Sequence, residues 1–199
     1  MTIVRLFPTL LGRAPLGDEA LLAELERSVR ALAADDAAGR RWSKAHGYKG
    51  YTSYASLNDL PRRDPAFADL KRRLDWHVAA FAEACAFDLD AKLKLDSLWV
   101  NLLRPGGHHG AHLHPHSAVS GTLYVSLPEG SGAIRFEDPR LPMMMAAPTR
   151  RAEAAPELRT FHTVEPVAGE VLLWESWLRH EVMPHGGRAE RISVSFNYR

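Results

Sequence analysis

The hydrophobic period of this chain changes once, near Leu93, and that change limits the fold more than any other feature. Before it, apolar residues recur at helical spacing. Leu21, Leu22, Leu25, Val29 and Leu32 share one helical face, with Asp18 and Glu19 at its N-terminal end and Gly39 as the expected stop. Asp64-Pro65 opens a second helix, an N-cap followed by proline at the first helical position. Its core-facing stripe is Phe67, Leu70, Leu74, Val78, Phe81 and Cys85. Ile3–Phe7 reads as a short strand stopped by Pro8. Arg41–Leu60, with Trp42, Tyr48, Tyr51 and Tyr54, reads as an ordered loop. Beyond Leu93 come strand candidates at Leu95–Leu103, Val119–Leu127, Ala133–Phe136, Thr160–Glu165, Glu170–Glu175, Glu181–Met183 and Arg191–Tyr198, most of them separated by turn signals. Two long helices followed by antiparallel strands predict a mainly β fold with N-terminal helices, a sandwich or barrel that the helices buttress.

The length suits a single domain over residues 1–199, with 1–92 a helical part packing on a β core at 93–199. A formal net charge of +1 provides no global field toward nucleic acid or an anionic membrane. Lys71, Arg72 and Arg73 form a solvated face without an aromatic platform, so nucleic acid is not an expected partner. One cysteine, Cys85, excludes an intramolecular disulfide and fits a reducing compartment. No apolar run approaches the ~20 residues of a membrane span. The first residues lack the pattern of a signal peptide. A cytoplasmic location without membrane contact is therefore expected.

Five of the ten histidines, His108, His109, His112, His114 and His116, stand between Arg104 and Tyr124. On an extended strand residues i and i+2 point to one face. His112 and His114 can thus reach one metal ion, and His180, after a later apolar run, is the candidate third ligand. Iron, zinc, copper and nickel all accept imidazole. The alternative is a solvated His-rich loop that holds metal loosely. His108 and His109 precede the strand and His116 follows Pro115, so these three are weaker candidates. Arg191 and Ser193 share one face of the final strand. A guanidinium beside a hydroxyl makes a clamp for a carboxylate. The alternative for Arg191 is a surface ion pair with Glu190 or Glu181.

Read together, these features resemble a known superfamily. The motifs are His112-x-His114 followed by Pro115, Ser120-Gly-Thr-Leu-Tyr124-Val, Phe136-Glu-Asp-Pro-Arg140, Pro166-x-x-Gly169, His180-x-Val-x-Pro184 and Arg191-x-Ser193. The chain resembles the 2-oxoglutarate- and Fe(II)-dependent oxygenases. More closely it is similar to a little-characterised family of these whose closing motif reads here Glu190-Arg-Ile-Ser-Val-Ser-Phe-Asn197. The specific likeness covers about Trp99–Asn197. It implies a double-stranded β-helix, or jelly roll, with Fe(II) held by His112, His114 and His180. It further implies 2-oxoglutarate as cosubstrate, its distal carboxylate held by Arg191 and Ser193 with Tyr124 reaching the same group. Molecular oxygen would be the other reactant, and the reaction a hydroxylation with release of succinate. His114 stands where the superfamily usually carries a carboxylate.

Two rival functions fit parts of the pattern. One is a cupin-type three-His dioxygenase without 2-oxoglutarate. The other is a non-catalytic metal- or ligand-binding jelly roll, in which a carboxylate clamp has no purpose. Arg104, Arg140, Arg150, Arg151 and Arg159 fall in candidate rim loops and point to an anionic or polar substrate. The long segment Asp138–Arg159, with three consecutive methionines, is expected either to border the metal pocket as a lid or to be disordered.

Overall fold

Helix α4 (Pro65–Ala84) follows directly from its sequence in the structure, a computed structural model that describes residues Met1–Arg199. The Asp64 side chain accepts from Ala66 N at 2.8 Å and Pro65 needs no acceptor for a missing N–H. Phe67, Leu70, Leu74, Val78 and Phe81 are all buried. Each such side chain contributes about 1.5–3 kcal/mol on leaving water. Cys85 caps the helix end, partly buried, with burial raising its thiol above the usual range. Helix α1 (Glu19–Asp35) has Asp18 as its N-cap and buries Leu21, Leu25 and Val29.

Three expectations for the N-terminal part need correction. Ile3–Phe7 forms no strand, because its apolar side chains are exposed and no neighbour pairs with it. The first strand, β1, is Leu11–Pro15 instead. Helix α1 ends before Asp36 rather than at Gly39. Asp36 then caps a further helix, α2 (Ala37–Ala45), by accepting from Gly39 N at 3.0 Å. Gly39 lies inside α2, where an added Cβ would stand 2.8 Å from Tyr51 and from Ser56 Oγ. Its role is close approach, not termination. The supposed loop 41–60 therefore contains the end of α2 and strand β2 (Gly50–Thr52), and helix α3 (Leu60–Arg63) follows.

The remaining strands are β3 (Leu95–Leu103), β4 (His109–His112), β5 (Val119–Ser126), β6 (Ile134–Glu137), β7 (Phe161–Val164), β8 (Glu170–Glu175), β9 (His180–Val182) and β10 (Arg191–Tyr198). They form a six-stranded sheet, ordered β1-β8-β5-β10-β3-β2, and a four-stranded sheet, ordered β4-β9-β6-β7. Every pairing is antiparallel, as a jelly roll requires. Period-two alternation sorts the side chains of β10. Ile192, Val194, Phe196 and Tyr198 join the core beneath α1 and α4. Arg191, Ser193, Ser195 and Asn197 point the other way, into a cavity between the sheets. There, Tyr124, Leu172 and Trp174 of the large sheet pack on Ile134, Phe136 and Val164 of the small one. No helix is long and apolar enough to cross a membrane.

Candidate active site

The cavity between the sheets has a volume of about 650 Å³, and His112, His114, His180, Arg191, Ser193 and Tyr124 all line it. The antiparallel register of β4 and β9 places His112 directly opposite His180. Their ring centroids are 4.4 Å apart. His114 lies just past the end of β4, so regular strand geometry does not extend to it. Its position is fixed instead by its peptide N–H, which donates to Ser176 O at 3.0 Å, and by its ring, stacked on Trp99 at 5.9 Å. The ligand atoms of the three histidines all lie within 4.8 Å of one another. His114 Nε2 and His180 Nε2 are 3.4 Å apart. Two imidazoles bound about 2.1 Å from one ion at a right angle would stand about 3 Å apart.

Protonation and tautomer also suit a metal. Burial pushes the His180 imidazole down to about 3 and that of His114 down to about 4, so both are neutral near pH 7. His180 Nδ1 lies 2.9 Å from Leu178 O, and His112 Nδ1 lies 2.7 Å from Gly110 O. A carbonyl only accepts, so each Nδ1 carries the proton and each Nε2 keeps a lone pair for the cavity. No carboxylate takes the place of His114. Glu137 faces Arg179, Asp138 pairs with Arg140, and Glu181 pairs with Arg135. His108 and His116 are exposed and outside the cluster, and His116 sits at a turn with positive φ.

At the deep end of the cavity Arg191 is 2% exposed and forms no ion pair. Its Nη1 donates to Ser193 Oγ at 3.2 Å, and its Nε has no acceptor. Burial lowers the guanidinium below its usual range, with Tyr124 and Tyr48 partly offsetting. The surface-pair alternative is ruled out, since Glu190 bonds Arg30 at 2.8 Å and faces Arg104, while Glu181 belongs to Arg135. The Tyr124 ring lies 5.3 Å from the guanidinium carbon. Its hydroxyl is buried without a partner, and burial pushes it up to about 12. A buried cation without a carboxylate partner, beside a buried hydroxyl without an acceptor, suits an anionic oxygen ligand.

The family model described as "Putative 2OG-Fe(II) oxygenase" matches residues 97–197. The chain belongs to this family of 2-oxoglutarate- and Fe(II)-dependent oxygenases. The oxygenase is thus an enzyme whose cofactor is Fe(II) and whose cosubstrate is 2-oxoglutarate. Solved structures of similar fold include a prolyl-4-hydroxylase from Pseudomonas putida, 20% identical with a TM-score of 0.64, covering 96% of this chain and 93% of that one. A second is the epimerase SnoN in complex with Fe3+, alpha ketoglutarate and nogalamycin RO, at 15% identity and TM-score 0.66, covering 96% and 79%. A third is HygX from Streptomyces hygroscopicus with nickel and 2-oxoglutarate bound, at 16% and 0.60, covering 96% and 82%. At these identities the likeness is one of fold, the double-stranded β-helix. No curated protein matches the sequence.

Several parts of the oxygenase cavity have no signature in the sequence. Tyr48 O–H donates to Asn101 Oδ1 at 3.2 Å, and its oxygen lies 2.9 Å from His109 Nε2. Asn101 also accepts from Thr52 at 3.0 Å and donates to Ser195 at 3.1 Å. This network seats His109 in the cavity wall and outside the metal cluster. Only the inward alternation of Ser193, Ser195 and Asn197 hinted at it. The five rim arginines do not line the cavity, and Arg104 and Arg140 are held by acidic partners. Nor does any residue of the segment 138–159. Asp138 and Arg140 bond one another, Arg159 bonds Ala154 O, and the chain folds over itself in two short turns. The expected lid does not border the pocket.

Proposed function

We propose that the oxygenase hydroxylates a neutral, polar substrate, using His112, His114 and His180 to hold Fe(II) and Arg191, Ser193 and Tyr124 to hold the distal carboxylate of 2-oxoglutarate. The observation that carries this reading is Arg191, a buried cation with no carboxylate of the protein beside it. Burying such a charge without a partner is costly, and a dicarboxylate supplies the partner. The donor sets at the two ends of the cavity fit the two groups. Three neutral imidazoles suit a divalent ion and leave its charge to be balanced by an anionic cosubstrate. Bound together, Fe(II), 2-oxoglutarate and oxygen supply the oxidative decarboxylation of the cosubstrate to succinate and carbon dioxide, and the oxygen atom placed on a substrate C–H.

The protein contributes orientation and a shielded site. Gly110 O and Leu178 O hold two imidazoles with their lone pairs inward. Phe136 and Trp174 pack around His180 and keep its surroundings dry. Toward the mouth, Trp42, Tyr54 and Trp99 form a run of aromatic faces, with ring separations of 6.3 and 5.4 Å. Asn58, Ser97 and Asn197 line the same region. Its one carboxylate, Asp96, is paired with Arg199 at 2.9 Å. A wall of aromatic faces, amides and hydroxyls supports a neutral, polar substrate.

The test is an anaerobic titration of the Fe(II) protein with 2-oxoglutarate, following the metal-to-ligand absorption band, and then oxygen-dependent succinate formation. Both are expected. An Fe(II) protein that shows neither band nor succinate would return the three-His dioxygenase without 2-oxoglutarate as the better reading.

A further inference from the structure

Buried donors without acceptors are rare in folded proteins, and each calls for a reason. Three belong to residues that line this one cavity: Tyr124 Oη, Arg191 Nε and Trp174 Nε1. The clamp proposed above accounts for the first two and leaves the third unexplained. Trp174 is 3% exposed, on β8. Its ring lies 4.7 Å from that of His180 and 5.4 Å from that of Phe136. In register it faces Ser120, four residues along β5 from Tyr124. The indole is therefore at the level of the histidines, not of the clamp. No acceptor is at hand there within the protein. Phe136, Ile134 and Leu178 are apolar, and the Leu178 carbonyl is already taken by His180 Nδ1.

We propose that Trp174 Nε1–H donates a hydrogen bond to the metal-proximal end of 2-oxoglutarate, at its 1-carboxylate or keto oxygen. Resting on the cosubstrate site proposed above, this makes Trp174 the donor for one end of a ligand whose other end is held by Arg191. Indole is a donor only, so it cannot compete for the ion as an imidazole or carboxylate would. In a dry, apolar surrounding, a bond from it to a charged oxygen is stronger than in water. With donors at both levels, a diacid would enter in one orientation.

Trp174→Phe tests this, because it keeps an aromatic ring against His180 and Phe136 and deletes the N–H. Anaerobic Fe(II)-loaded wild type and variant are each titrated with 2-oxoglutarate and with butyrate, which keeps the distal carboxylate and has no oxygen at the metal end. The expected result is a roughly ten- to hundredfold weaker affinity for 2-oxoglutarate in the variant, the range for losing one bond to a charged acceptor. Affinities for butyrate and for Fe(II) should be unchanged. Unchanged 2-oxoglutarate affinity overturns the assignment. So does an equal loss for both ligands, which marks a packing role. A loss of Fe(II) affinity alone overturns it too, by assigning the N–H to the imidazole face of His180. Wild-type protein that binds Fe(II) but no 2-oxoglutarate removes the proposed function itself, and with it the ligand assigned to Trp174.

Discussion

The large sheet is covered on its outer face by α1 and α4 and shares with them a core of 24 buried residues, whereas the small sheet meets its partner through a cluster of seven. The two carry different parts of the proposed site. Arg191, Ser193 and Tyr124 belong to β10 and β5, long strands at the centre of the large sheet. His112 and His180 belong to β4 and β9, strands of four and three residues on one side of the small sheet. An unpaired charge stays buried only where the surroundings cannot open to admit water, and strands paired on both sides provide that. Imidazoles, which bind a metal in their neutral form, carry no such penalty. An ion can gather them, so they can stand on short strands.

This contrast can be broken by substitution. The largest effect is expected for His180→Ala, which removes one of three proposed ligands. Fe(II) binding at micromolar metal should disappear, while the melting temperature of the metal-free protein stays near wild type. Calorimetric metal titration beside thermal melts checks it, and a variant that unfolds would mean that the small sheet needs His180 for its own stability. Phe67→Ala should do the reverse. It should cost about 3–5 kcal/mol of stability, the usual penalty for a fully buried aromatic, and leave Fe(II) affinity intact in the protein that remains folded.

Arg191→Met sharpens the comparison, because its two effects have opposite signs. Loss of a buried, charge-assisted partner should weaken 2-oxoglutarate binding by about 2–5 kcal/mol. Without ligand, exchanging an uncompensated buried charge for an apolar side chain should raise stability by up to about 4 kcal/mol. A lower melting temperature in the ligand-free variant would show that the guanidinium is better solvated than its surroundings imply. The smallest effect is expected for Ser193→Ala, about 1–3 kcal/mol in 2-oxoglutarate affinity with iron retained, read in the same titration.

What was legible in the sequence follows the reach of each physical signal. Glu170–Glu175 and Arg191–Tyr198 coincide with their strands, since alternation is local and strong there. Helix α2 escaped notice because Ala37–Ala45 carries no apolar stripe, and its cap, Asp36, looks like part of the preceding helix. Ile3–Phe7 has the composition of a strand, but a strand also needs a neighbour, and sequence does not name one. Histidines and the Arg-x-Ser pair stand out by residue type. Tyr48, Asn101 and His109 meet across 53 and 61 residues of chain through contacts that no spacing encodes. Likewise, Trp174 reads as one more apolar residue in a strand until its N–H is found without a partner.

The acceptors that orient His112 and His180 are peptide carbonyls, each two residues back along the chain. A carboxylate side chain in that role can vanish with one codon change, taking the tautomer with it. A peptide carbonyl is present whatever residue occupies position 110 or 178. At Gly110 an added Cβ would meet nothing within 4 Å, so many side chains fit there without disturbing the bond. The tautomers of these two imidazoles are therefore insulated from point substitution in their immediate surroundings. They remain vulnerable only to changes that redirect the backbone itself, such as an insertion between His112 and the carbonyl it faces.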